Sequence, residues 1–239
     1  MEIGFFENDI IKNNVFDIEL CENIIKQNKN IEFWIFPEVF DTGFDVDINS
    51  SFNGENNVLL FQKWSKMYNI AVAGSFYIKE NNKIYNRFCA TLPNGETYFY
   101  DKRHLFGNFE KKFVNFGDKI INFEYKGFKI RPIICYDLRF PVWCRNDNNY
   151  DILLCVSQWP LIRKYDRKIL CKARAIENVC YVINVNGLGE SYFETPDENI
   201  VISQNYQNKF WKSINIDKNL LNNIRKLKKY LNDKDNFTL

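Results

Sequence analysis

Short apolar runs, broken by turn-forming Asn, Gly, Pro and Asp, alternate along the chain with longer segments of mixed polarity. The runs at 3–6, 33–36, 70–77, 85–91, 97–102, 128–135, 152–156 and 181–184 are rich in Ile, Val, Phe and Tyr and predict β-strands. Leu92-Pro93-Asn94-Gly95 carries a turn signature between two of them, so 85–102 reads as a β-hairpin. The mixed segments at 16–27, 57–68, 140–146 and 163–178 predict helices. The runs at 33–36 and 130–135 are apolar on both faces, as strands buried between layers must be. Near the end, Leu220, Ile224, Leu227 and Leu231 mark one face of a helix, while Lys226, Lys228 and Lys229 lie off the stripe on a solvated face. No repeat and no Pro/Gly/Ser linker divides the chain, so the pattern predicts a layered α/β architecture in one domain over 1–239.

Composition removes several classes of function. Hydrophobic residues at 46% and charged residues at 26% match globular averages, which excludes intrinsic disorder. A chain of 239 residues buries roughly three quarters of its unfolded surface, enough for its own core. Lys plus Arg (32) against Asp plus Glu (30) leaves +2, which argues against a nucleic-acid partner. No run approaches the ~18 apolar residues of a membrane span, and the first ten residues lack a basic-then-apolar leader, so a cytoplasmic protein without a membrane partner is expected. The seven Cys contain no C-x-x-C pair, and His104 is the single histidine. Zinc ribbons, thioredoxin motifs and His-based metal sites are therefore excluded, and neither metal nor cofactor is expected.

Three segments end a predicted strand with a group capable of chemistry. Trp34-Ile35-Phe36-Pro37-Glu38 delivers a carboxylate, Tyr98-Phe99-Tyr100-Asp101-Lys102 an ammonium, and Arg131-Pro132-Ile133-Ile134-Cys135 a thiol. Strand ends facing a crevice are where α/β sheets place ligand sites. Cys135 is the candidate nucleophile, set before an expected helix whose N-terminus favours thiolate. Glu38, following a wholly apolar strand, is expected to have a raised pKa and to relay the proton from thiol to leaving amine. Lys102 and backbone N–H groups around Tyr136 would stabilise an anionic tetrahedral intermediate. A second reading pairs Cys135 with His104, because residues 102 and 104 share a face if the strand continues.

Taken together and in this order, the segments resemble the nitrilase superfamily of carbon–nitrogen hydrolases, and more narrowly its ω-amidase branch. The resemblance is carried by Pro37-Glu38-Val39-Phe40-Asp41-Thr42-Gly43-Phe44, Tyr100-Asp101-Lys102-Arg103-His104-Leu105-Phe106 and Ile134-Cys135-Tyr136-Asp137-Leu138-Arg139-Phe140-Pro141. Ala173-Arg174-Ala175-Ile176-Glu177-Asn178 and the terminal Asn232-Asp233-Lys234-Asp235-Asn236-Phe237 add to it. It implies a four-layer α-β-β-α sandwich, paired through a helix face into a homodimer. It implies Glu38 as general base and acid, Lys102 as catalytic lysine, Cys135 as nucleophile and Glu110 as the second, positioning glutamate. It further implies a small-molecule amide substrate bearing a carboxylate, such as 2-oxoglutaramate, hydrolysed through a thioester. Tyr136, Trp159 and Arg139 are the expected substrate contacts, with Arg163 and Arg103 as further candidates for the carboxylate. Other specificities, for N-carbamoyl or aliphatic amides, and a scaffold that binds a partner without turnover are the alternatives. The chain departs from the resemblance in a short opening segment and between 187 and 215, where about ten residues and a Gly-x-Ser strand are missing.

Overall fold

In the computed structural model, residues 1–6, 11–12, 15–44, 54–197, 200, 204–206 and 210–235 are described. The chain opens with β1 (Glu2–Phe6) and a short antiparallel pair, β2 (Ile11–Lys12) and β3 (Val15–Phe16). Asp17 accepts from the backbone N–H of Leu20 and so starts α1 (Ile18–Gln27), which turns Cys21, Ile24 and Ile25 inward. β4 (Phe33–Ile35), α2 (Gly54–Tyr68), β5 (Ala71–Glu80), β6 (Lys83–Thr91), β7 (Thr97–Asp101) and the short α3 (Gly107–Phe113) follow. The second half holds β8 (Phe123–Tyr125), β9 (Phe128–Ile134), a 3₁₀ turn at Cys135–Arg139, β10 (Ile152–Ser157), α4 (Lys164–Asn178) and β11 (Tyr181–Asn186). β12 (Tyr192–Glu194), β13 (Gln204–Tyr206), β14 (Trp211–Asn215) and α5 (Lys218–Leu227) complete it.

The strands form two sheets. One runs β13-β14-β1-β4-β5-β6-β7, parallel across β1, β4 and β5, and the other runs β12-β11-β10-β9-β8, parallel across β11, β10 and β9. Their inner faces share one core, in which Phe5, Ile35 and Phe88 of the first sheet join Ile133, Leu154 and Ile183 of the second. α1 and α2 cover the outer face of the first sheet through an aromatic cluster of Trp34, Phe36, Phe61 and Trp64. Cys171 and Ala175 of α4 and Leu221 of α5 pack into the core at the second sheet. This is the four-layer α-β-β-α sandwich, and strands buried between layers account for the unbroken apolar runs.

The turn at Leu92–Gly95 closes as expected, with the Gly95 N–H bonded to the Leu92 carbonyl and Gly95 at φ 91°. Three readings need correction. The segment at 140–146 forms no α-helix, because Pro141 removes a backbone donor and holds Phe140 extended, at ψ 95°. The terminal helix buries Leu221 and Ile224, and Leu227 of the expected stripe is 84% exposed. Its inward face is set by Arg225, which donates to the Val179 and Tyr150 carbonyls and pairs with Asp151. The strand ending at Asp101 stops before Lys102 and His104, which removes the shared face on which the Cys–His reading stood. Of the terminal match, Asn236 and Phe237 lie outside the described residues.

Candidate active site

Four strand ends converge. Glu38 follows β4, Lys102 follows β7, Cys135 follows β9 and Gln158 follows β10, so both sheets contribute. Glu38 and Lys102 are fully buried and Glu110 is 1% exposed. The Lys102 ammonium donates to Glu38 Oε1 at 2.7 Å and to both Glu110 oxygens at 2.9 and 2.8 Å. Glu110, brought in by α3, also accepts the backbone N–H of Phe106 at 2.7 Å. Glu38 Oε2 accepts the backbone N–H of Gln158 at 2.9 Å. Asn86, on β6, donates to both carboxylates, at 2.8 Å to Glu38 and 3.1 Å to Glu110. Two carboxylates and one ammonium thus sit out of water with each charge met by several hydrogen bonds, the condition under which burial of charge is tolerated.

Cys135 stands beside this cluster at a sharp bend. Its φ is +47°, and that of Val39, next to Glu38, is +40°. A residue with a Cβ pays about 1–2 kcal/mol for this left-handed conformation, and such strain persists only where the surroundings fix it. The thiol lies near enough to the Glu38 carboxyl, the Lys102 charge and the Gln158 backbone N–H for each to act on its ionisation.

Electrostatics correct one expectation. Burial, followed by the Glu38 charge, pushes the Cys135 thiol well above its ordinary value, although Lys102 pulls the other way. The helix that was to favour thiolate is a five-residue 3₁₀ turn, too short to offset burial. The resting thiol is therefore neutral. Burial also raises the Glu38 carboxyl; Lys102 opposes that shift and Glu110 reinforces it. Burial works against the Lys102 charge, but Glu38 and Glu110 outweigh it and hold the ammonium well above its ordinary value.

Cys135 and Glu110 open onto a cavity of about 320 Å³ walled by Phe44, Phe106, Tyr136, Trp159, Pro160 and Leu188. Arg139 and Arg163 line it as well. Arg139 pairs with Asp166 at 2.8 Å and lies 4.9 Å over the Trp159 ring. Arg163 lies 5.4 Å over the Phe106 ring and has no carboxylate partner among the described residues. Arg103 points elsewhere, donating to the Gly117 carbonyl and lining a separate cavity with His104. His104 Nδ1 meets Asp137 at 2.8 Å and the ring stacks on Phe140, so the single histidine is engaged away from the thiol. Leu188 shows that the divergent 187–215 segment supplies part of the wall. Asn86 and Gln158 were not singled out in the sequence, and Phe44 only as part of the resemblance; an uncharged amide inside the strand Lys83–Thr91 was the available sign for Asn86. Among the described residues no group of three or more His, Cys, Asp and Glu is placed to hold a metal, and no helix is long and apolar enough to cross a membrane.

Comparison with known proteins gives a consistent result. The chain is 38% identical over 157 residues to omega-amidase YafV of Escherichia coli K12, covering 65% of this chain and 61% of that protein. It therefore spans less than two thirds of that relative's length. It is 32% identical over 176 residues to 2-oxoglutaramate amidase of Bacillus subtilis, covering 70% and 68%. Among solved structures it superposes on XC1258 from Xanthomonas campestris, a CN-hydrolase superfamily protein with an arsenic adduct in its active site. That match has a TM-score of 0.82 at 27% identity and covers 100% and 98% of the two chains. The carbon-nitrogen hydrolase family model matches residues 17–218. With the family's pattern spanning most of the sequence and its fold recovered in all four layers, the chain belongs to the carbon–nitrogen hydrolases.

Proposed function

We propose that this protein is a cysteine-dependent amidase that hydrolyses the terminal amide of a small carboxylate-bearing substrate of the 2-oxoglutaramate kind to acid and ammonia. One observation carries the reading: a neutral thiol at a strained bend, beside a buried carboxyl of raised pKa and under the charge of a fixed ammonium, lining a small aromatic cavity. Glu38 takes the Cys135 proton as sulfur attacks the amide carbon. Lys102 and the backbone N–H of Tyr136 balance the charge on the carbonyl oxygen. Glu38 returns the proton to nitrogen, the C–N bond breaks, ammonia leaves and a thioester remains. Water, deprotonated by Glu38, then cleaves the thioester and restores the thiol. Glu110 holds Lys102 in place throughout.

The arginines support the carboxylate-bearing substrate class. Asp166 pairs with Arg139, so Arg163 is the cavity arginine without a carboxylate partner among the described residues, and it complements one substrate carboxylate. The names of the two curated relatives, omega-amidase and 2-oxoglutaramate amidase, support the same class. A homodimer in the cytoplasm completes the reading. The test is ammonia release from 2-oxoglutaramate against butyramide and a nitrile of similar size. Turnover of the first, weak turnover of the second and none of the third is the expected result. Equal rates on butyramide, or a preference for N-carbamoyl compounds, overturn the substrate assignment.

A further inference from the structure

Lys102 and Cys135 belong to different sheets, so their separation depends on how strand ends from two layers are locked together. Asp137 lies between them, fully buried and outside the cavity wall. Its Oδ2 accepts the backbone N–H of Ile134 at 3.0 Å and the hydroxyl of Tyr100 at 2.7 Å. Its Oδ1 accepts the backbone N–H of His104 at 2.8 Å and meets His104 Nδ1 at 2.8 Å. Four donors fill the four acceptor positions of one carboxylate. Their places in the chain are telling: Tyr100 and His104 stand two residues either side of Lys102, and Ile134 immediately precedes Cys135. The donors are themselves fixed in direction. The Tyr100 hydroxyl accepts from Trp143 Nε1 at 2.8 Å, and the His104 ring lies parallel to Phe140 with centroids 3.6 Å apart.

We propose that Asp137 is a positioning residue that sets the register between the Cys135 bend and the Lys102 strand end, with His104 as one of its donors. The proposal rests on the reading of Cys135 as nucleophile. A left-handed residue is held only by surroundings that over-determine it, and the Ile134 N–H bond pins the residue just before that bend. The carboxylate acceptor also fixes the histidine proton on Nδ1, which makes the ring a donor to Asp137. Loss of the carboxylate lets the thiol drift from Glu38 and Lys102, and displacements on the order of 1 Å cost roughly a hundredfold in such sites.

The experiment is iodoacetamide labelling of the whole protein, each of the seven thiols quantified by peptide mass spectrometry, alongside steady-state kinetics. Wild type should label fastest at Cys135, which alone among the seven lines the cavity and has Glu38 beside it to take the thiol proton as sulfur attacks the reagent. Asp137→Asn and His104→Phe should label Cys135 at least tenfold more slowly, with the kinetic loss in kcat rather than KM. His104→Asn, which offers an N–H donor again, should recover most of the His104→Phe loss. A merely structural role moves the readout in the opposite direction, because a loosened fold exposes every thiol and speeds labelling. Faster labelling throughout, or wild-type rates at Cys135 in both variants, overturns the positioning role and leaves the nucleophile reading intact. Failure of wild type to label selectively at Cys135 overturns both. Should Asp137→Asn not fold, the His104 pair decides: equal Cys135 rates in His104→Phe and His104→Asn overturn the proposal.

Discussion

In the proposed mechanism Glu38 is a base in one half-reaction and an acid in the next, and a carboxyl lifted by burial suits both. The acid limb of kcat/KM should therefore lie above the ordinary glutamate value of 4.5. Glu110→Gln removes a neighbouring negative charge, so in that variant the limb should move to lower pH, as a pH–rate profile will report. Lys102 stays charged beyond its ordinary 10.5 and sets no limb near neutrality. Cys135→Ser, Lys102→Ala and Glu38→Gln should each lower turnover by at least about a thousandfold, measured as ammonia release, with circular dichroism unchanged. Retained turnover in any of them breaks the mechanism. Arg163→Ala should raise KM for 2-oxoglutaramate at least about tenfold and leave butyramide unaffected, the mark of a lost charge-assisted pair. Glu38, Lys102 and Cys135 were visible in the sequence because each ends an apolar run with an ionisable group. Asn86 and Gln158 were not, because they meet Glu38 across 48 and 120 residues of chain and no local pattern marks such a contact.

At the scale of elements, strands were legible and their joins less so. The pattern placed β5 and β6 but not the tight turn between them, where Asn81 and Asn82 both adopt positive φ. Paired asparagines tolerate that conformation, so the signal was present in the sequence. β8, β12, β13 and β14, of three to five residues each, lie in segments of mixed polarity without an apolar run to mark them. One connection carries a stability consequence. Asp41, after β4, is tied to α2 by Asn57 at 2.6 Å, and burial raises its carboxyl to about 6 despite that bond. The folded protein then keeps a proton that the unfolded chain releases near 3.8, so stability falls as pH rises from about 4 to about 6. The loss is at most about 3 kcal/mol, from the size of the shift. Asp41→Asn should flatten that slope in urea titrations between pH 4 and 7, and an unchanged slope would show that other groups cause it.

For the whole molecule, the apolar surface near the cavity mouth bears on assembly. Ile162, Tyr165 and Ile169, just before and within α4, are 90%, 71% and 68% exposed and recur at helical spacing. The proposed homodimer would place a second copy of the chain over this face. Ile169→Glu should then halve the mass seen by sedimentation, and a monomeric wild type would remove the assignment. The layered architecture itself was legible, since only strands covered on both sides run apolar without alternation. The mating of the two sheets has a last consequence. Thiol and carboxyl are supplied by opposite layers, so the proposed reactive centre is an internal interface and obeys the rules of one. Neither sheet holds half an activity that could be isolated, and every hydrogen bond within both ladders could survive a slide of one layer over the other that abolishes chemistry. Turnover is thus a finer gauge of how the layers are docked than any measure of helix or strand content.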